Sequence, residues 1–298
     1  MPVYNSMKFL AEAIDSILIQ TLEDLELIVV DNGSTDGSRE YAEGLSDHRT
    51  RVIVETARGA GWATNAGIAA SRSELLAIMD SDDIAHPERL RQQVEFMDAN
   101  PEVVLIGTRF AFRVGSETVP APPQPSEHSE IRRALMQGRP VICNPSLMAR
   151  SRAAKAVGGI HFPGLGADLD FFLRMSEVGK VSNLPAQLLY YRLHDESASV
   201  VGFMQVNKIH AFSVACAQAR ERAAKEPTAE EFDRQWAQRS VFARLSERAD
   251  CKALHLYRKA IRMRVQRQRV RSTVTMACAA VLNPTRTLWH LRRRFGLC

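Results

Sequence analysis

The first hundred residues switch repeatedly between two periods, and that alternation constrains the fold more than any other feature. Short apolar runs rich in β-branched residues occupy residues 25–30, 51–55 and 75–79. Between them, Phe9, Ala13, Ile14, Ile17 and Leu18 form a helical stripe, a second helix closes at Ile68, and Leu90, Val94 and Met97 form a third stripe behind Pro87. Strands alternating with helices predict an α/β fold of βαβ units, a parallel sheet with helices on both faces. In such a sheet, ligands sit beyond the carboxyl ends of the strands. Three polar clusters fall there: Tyr4-Asn5, Asp31-Asn32-Gly33-Ser34-Thr35-Asp36, and Asp80-Ser81-Asp82-Asp83. The alternation therefore predicts that all three converge at one edge.

The first strand spans only residues 1–4, short for a central strand of about 5–6 residues, which raises an internal start or a shortened gene model. Beyond residue 100 the alternation loosens. Strands are expected at 103–106, 109–114, 181–184 and 188–192, with helices at 126–137 and 169–177 and a proline-rich loop at 120–125. After Val201 the pattern is helical, and Thr228-Ala229-Glu230-Glu231 reads as a capping box.

Three carboxylates within residues 80–83 would repel one another at a strand end where solvation is limited, so a cation is their natural partner. Oxygen ligands suit hard ions, Mg2+ or Mn2+, which also engage substrate phosphates. The competing use is an acidic loop capping the helix near Pro87. Asp31-Asn32-Gly33 is good turn chemistry, and Ser34 or Thr35 can cap a helix over residues 38–44. That leaves Asp31 to meet a base edge and Tyr4 to stack on the base.

Met-Pro-Val-Tyr-Asn, Glu-Leu-Ile-Val-Val-Asp-Asn-Gly-Ser-Thr-Asp-Gly-Ser, Met-Asp-Ser-Asp-Asp and Tyr-Arg-Leu-His, in this order over residues 1–200, together resemble the family 2 glycosyltransferases. The resemblance implies the GT-A fold, a mostly parallel nucleotide-binding sheet flanked by helices, here with a helical C-terminal extension. It implies inverting, metal-dependent transfer of a sugar from a nucleotide-sugar donor to an acceptor hydroxyl, in surface polysaccharide or lipid-linked glycan synthesis. By the same resemblance Pro2, Tyr4 and Asp31 hold the base and ribose, and Asn65 belongs with the donor-binding residues. Asp80 faces the donor, Asp82 is the metal ligand, and Asp83 is structural. Asp168 matches the general base, although Asp170 is a neighbouring carboxylate, and His194 matches a position near diphosphate or metal. The chain departs from the pattern at Ala167, where relatives carry Glu, at Asn144, where His is frequent, and at Thr64, where an arginine is common. Arg58 is the candidate to replace that missing cation.

Charge sets the domain boundary. Residues 1–200 hold 19 Lys/Arg against 27 Asp/Glu, whereas residues 201–298 hold 20 against 7. The shift divides a domain at 1–200 from a helical basic region at 201–298. In the latter, Arg258, Lys259, Arg262, Arg264, Arg267, Arg269 and Arg271 crowd together, and Trp289, Leu291 and Phe295 accompany Arg292, Arg293 and Arg294. A solvated helical face is one reading. The other is docking on an anionic membrane surface, suited to a lipid-linked acceptor. No nucleic-acid module accompanies the charge. Five scattered cysteines, without a CxxC pair, suit a reducing cytosol. No apolar run approaches the roughly 20 residues of a spanning helix, so the expectation is a cytoplasmic chain, peripheral at most. A sugar nucleotidyltransferase would share sheet, metal and nucleotide but should carry a glycine-rich basic loop after the first strand. Tyr4-Asn5-Ser6-Met7-Lys8 is not that loop. A non-catalytic binding protein would have no need of Asp82 and Asp168.

Overall fold

The computed structural model describes residues 1–194, 203–241, 245, 249, 252–253, 255–257, 259–261, 263 and 269–282. It forms two compact units, residues 1–110 with 124–191, and residues 111–123 with 192–298. The boundary expected near residue 200 lies outside the described residues.

In the first unit, β1 (Pro2–Val3), β2 (Leu27–Asp31) and β3 (Thr50–Val54) form a parallel sheet in that order. The register sets Val3 opposite Asp31 and Asp31 opposite Val54, so the three strands end level and release their loops at one edge. Helix α1 (Met7–Leu18) buries Leu10, Ala13, Ile14 and Ile17, the i, i+3, i+4, i+7 face of an amphipathic helix. Leu10, Ile14 and Ile17 share one core with Val3, Leu27 and Val29. Each buried aliphatic side chain contributes about 1.5–3 kcal/mol relative to exposure. Phe9 and Leu18, expected in the stripe, are half-buried at its margin. Helices α2 (Ser38–Glu43) and α3 (Ala60–Ala70) follow β2 and β3. The N-cap of α2 is Gly37, in the left-handed region at φ 91°, so Ser34 and Thr35 do not cap it as expected.

The run at 75–79 forms β4 (Leu75–Ala77), which pairs antiparallel with β8 (Met148–Arg150). It thereby joins a second sheet, in which β4 and β8 are followed by β6 (Val103–Val114), β9 (Lys180–Arg192) and β5 (Ile84–Ala85). The period that marks a strand carries no information about its partner. The strands expected at 103–106 and 109–114 merge into β6 (Val103–Val114), and those at 181–184 and 188–192 into β9 (Lys180–Arg192). Gly107 sits inside β6 because a Cβ there would meet Asn183 Oδ1 at 2.4 Å and Ile142 Cγ2 at 2.9 Å. It is a close-approach position, not a break. Strand β5 (Ile84–Ala85) pairs antiparallel with β9. Helices α4 (Arg89–Ala99), α5 (His128–Leu135), α6 (Ser151–Ala156) and α7 (Ala167–Val178) complete this unit. Leu169, Phe171, Phe172, Leu173 and Met175 fasten α7 in the core.

In the second unit, residues 111–114 of β6 pair antiparallel with β7 (Glu117–Pro120). The described helices are α8 (Phe203–Glu221), α9 (Ala229–Ala237) and α10 (Arg269–Leu282). The capping box expected at Thr228 opens α9, with reciprocal bonds between Thr228 and Glu231. Phe232 anchors α9 between Phe212, at 5.1 Å, and Trp236, at 5.5 Å between ring centroids. Arg258, Arg262, Arg264, Arg267, Trp289, Leu291, Arg292, Arg293, Arg294 and Phe295 of the basic cluster lie outside the described residues. No described helix is long and apolar enough to cross a membrane.

Candidate active site

The strand-end loops are knitted together by short polar side chains. Asp31, 2% exposed, accepts from the N–H groups of Gly33 and Ser34 at 3.1 Å each and so closes its own turn. Asn5, at φ 48°, accepts from the Thr35 N–H at 2.8 Å. The Ser34 hydroxyl accepts from the Asn5 N–H. Asp36 accepts from the N–H groups of Met7 and Ser38 and from the Ser38 hydroxyl. The Asn32 amide donates to the Glu55 and Ala57 carbonyls and accepts from the Gly59 N–H. Ser6 Oγ lies 2.6 Å from Ser81 Oγ, which brings the acidic loop to the same edge. The convergence expected from the alternation is present.

Asp80, Asp82 and Asp83 each present a carboxylate oxygen to one cluster, with the three oxygens within 4.8 Å of one another. Burial, reinforced by the Asp82 and Asp168 carboxylates, pushes the Asp80 carboxyl up to about 7. A bound cation would offset both that burial and the repulsion that adds to it, and an all-oxygen set fits Mg2+ or Mn2+. Asp83, assigned a structural role from the sequence, is 1% exposed yet offers an oxygen to the group. Behind the cluster lies Arg89, which sequence reading missed. Its guanidinium is 0% exposed and donates to the Ile78 carbonyl at 2.7 Å, the Leu147 carbonyl at 3.2 Å and Gln93 Oε1 at 3.1 Å. It therefore fixes the chain two residues before Asp80, and its charge opposes the upward shift of that carboxyl. Burial lowers Arg89 itself to about 10, which leaves it charged at neutral pH. Cys143 is buried nearby; desolvation, with Asp83 and Asp80 adding, holds its thiol well above the usual range. A thiol so held is no nucleophile at neutral pH.

Asp168 stands in the first turn of α7, after Gly166 at φ 86°, and its field reaches Asp80. Asp170 has other work. Only 3% exposed, it accepts from Arg174 Nε at 2.9 Å and Nη2 at 2.7 Å. Of the two neighbouring carboxylates, Asp168 is the one whose charge acts on Asp80.

The model of the Glycosyl transferase family 2 matches residues 1–158. The chain belongs to that family. A glycosyltransferase of Haemophilus influenzae is 29% identical over 212 residues, covering 66% of this chain and 65% of that one. The succinoglycan biosynthesis protein ExoO of Rhizobium meliloti is 41% identical over 97 residues, covering 32% of this chain and 28% of ExoO. The chain thus spans less than two thirds of the length of these relatives. The mannosyltransferase PcManGT of Pyrobaculum calidifontis, solved with GDP-Man and Mn2+, superposes with a TM-score of 0.55 at 17% identity, covering 100% of this chain and 79% of that one. The fold is GT-A.

Within the family 2 frame the remaining expected residues fall into place unevenly. Pro2 lies in β1 and is half-buried. Tyr4 is 52% exposed, with the Arg58 guanidinium 5.7 Å from its ring centroid and Arg58 Nη1 donating to its hydroxyl at 3.3 Å. Thr64 donates to the Ala60 carbonyl of its own helix. Arg58 is thus the exposed cation of this edge loop. Asn65 is engaged elsewhere, since both polar ends of its amide meet the Ile160 backbone. His194 belongs to the second unit.

Proposed function

We propose that this chain transfers a sugar, with inversion, from a nucleotide-sugar to an acceptor hydroxyl, using Mg2+ or Mn2+. The observation that carries the reading is the gathering of Asp80, Asp82 and Asp83, with Asp168 near enough to raise the Asp80 carboxyl. Tyr4, Arg58, Pro2 and the Asp31 turn receive the nucleotide. Asp80 faces the donor, and Asp82, joined by an Asp83 oxygen, holds the cation. When bound, the cation offsets the charge that develops on the departing diphosphate. Asp168 accepts the proton of the attacking acceptor hydroxyl. One carboxylate acting on the acceptor makes the reaction a single displacement, hence inversion. Similarity to ExoO supports an acceptor in polysaccharide or lipid-linked glycan synthesis.

A panel of UDP-, GDP- and dTDP-sugars tests this, read by metal-dependent thermal shift and by release of the nucleoside diphosphate. Asp82→Ala is expected to abolish turnover together with the metal-dependent shift. Asp168→Asn should keep the shift and lower turnover by on the order of 100- to 10,000-fold. Undiminished release in either variant removes that residue from its role.

A further inference from the structure

Residues 157–163 form a strap between two helices. On one side lies α3, which begins directly after the Arg58–Tyr4 edge; on the other lies α7, which carries Asp168. The α3 side is closely fitted. Asn65 Oδ1 accepts from the Ile160 N–H and Asn65 Nδ2 donates to the Ile160 carbonyl, both at 2.7 Å. The Gly61 N–H donates to the Pro163 carbonyl at 3.1 Å. Three glycines permit this approach. A Cβ on Gly61 would stand 2.1 Å from the Phe162 carbonyl oxygen, one on Gly59 2.6 Å from Pro163, and one on Gly159 2.3 Å from Asn65 Oδ1. The α7 side is held by charge. Arg174, 6% exposed, donates to the Gly159 carbonyl at 2.6 Å and to the Val157 carbonyl while paired with Asp170.

We infer that Asn65 is a positioning residue for Asp168, acting through this strap, and not a contact to the donor. The inference rests on the transferase reading above. Asn65 and Arg174 grip adjoining residues of one segment from opposite sides, so together they set the separation of α3 from α7. Because α3 follows the Arg58–Tyr4 edge and α7 carries Asp168, a change in that separation would move the two relative to each other. Attack requires the acceptor oxygen near 3 Å from both the sugar carbon and its base, and a misplacement of about 1 Å can cost on the order of 100-fold. Both ends of the Asn65 amide serve the strap. Its truncation acts on the base side before it acts on donor affinity.

The test is a cycle of Asn65→Ala, Asp168→Asn and the double variant in the full chain, each checked for thermal midpoint. Release of nucleoside diphosphate is followed from whichever sugar nucleotide of the panel turns over. Asn65→Ala is expected to lower kcat by on the order of 10- to 100-fold, with donor KM and the nucleotide-dependent thermal shift within about threefold of wild type. In the Asp168→Asn background, Asn65→Ala should change the residual rate by less than about twofold, because a residue acting through the base has nothing left to position. A raised donor KM at unchanged kcat overturns the inference in favour of donor contact. Fully multiplicative losses overturn it in favour of general structural damage. Should Asn65→Ala not fold, Asn65→Asp keeps the acceptor, loses the donor and enters the same cycle. A wild-type chain that neither binds nor turns over any sugar nucleotide defeats the transferase reading itself, a different outcome from either.

Discussion

Arg89 shows how much one residue can organise out of sight. A guanidinium held away from water is costly unless its donors are satisfied, and here two carbonyls, Gln93 and the fields of Asp83 and Asp80 compensate it. Its replacement by methionine roughly keeps the volume but removes the donor to the Ile78 carbonyl and to Gln93 Oε1, and leaves the Leu147 carbonyl with the Ile78 N–H alone. Arg89→Met should therefore destabilise the chain by about 3 kcal/mol or more, and Arg89→Lys by less, as read from urea denaturation. An unchanged midpoint in Arg89→Met would refute the account. The sequence did hold a signal. Arg89, Gln93 and Met97 lie four residues apart on the face that Leu90 also shares, and all four are buried. Polar residues inside an apolar helical face mark a buried network, but the stripe was read only through its apolar members. The grouping of Asp80, Asp82 and Asp83 was legible for the opposite reason: carboxylates crowded at a strand end have few structural uses. The bonds of Asn65 to Ile160 were not legible, because an amide on a helix face looks the same whether it meets a ligand or a segment ninety-five residues away.

Elements were legible to the extent that their causes are local. The face of α1 follows from its own periodicity, and the start of α9 from four consecutive residues. Thr228 accepts from the Glu231 N–H at 3.2 Å, and Glu231 Oε2 accepts from the Thr228 N–H at 2.8 Å. Loss of such a cap costs about 1 kcal/mol, so Thr228→Ala should lower stability by that amount while Thr228→Ser leaves it nearly unchanged. Equal midpoints for all three proteins would remove the cap as a contributor. The merging of strands into β6 and β9 was not legible, because Gly107 reads as a break until Asn183, far along the chain, is seen against it. The departure of β4 to the second sheet has the same origin, since its partner β8 lies some seventy residues on. Gly59 and Gly61 are likewise points of close approach, to Pro163 and to the Phe162 carbonyl, and Gly159 is one to the Asn65 side chain.

At the scale of the whole molecule the dominant fact is charge segregation. Residues 1–200 carry a net negative charge and hold the acidic cluster, while twelve basic residues follow Asp250 with no acidic residue among them. An anionic bilayer is the surface that fits a lipid-linked acceptor. Each basic residue near such a bilayer contributes about 1 kcal/mol, and the attraction acts over a Debye length of about 10 Å at 0.1 M salt. The full chain should co-sediment with vesicles of phosphatidylcholine and phosphatidylglycerol, and not with phosphatidylcholine alone. Raising salt to about 0.5 M should release it, because screening contracts the field while leaving apolar insertion intact. Binding equally to both vesicles, or binding unaffected by salt, would replace the electrostatic account with an apolar one. Binding to neither would leave the basic region as a solvated face and move the acceptor away from the membrane. The charge pattern makes the first outcome the expected one, since a solvated helical face gains nothing from excluding every acidic residue over 48 positions.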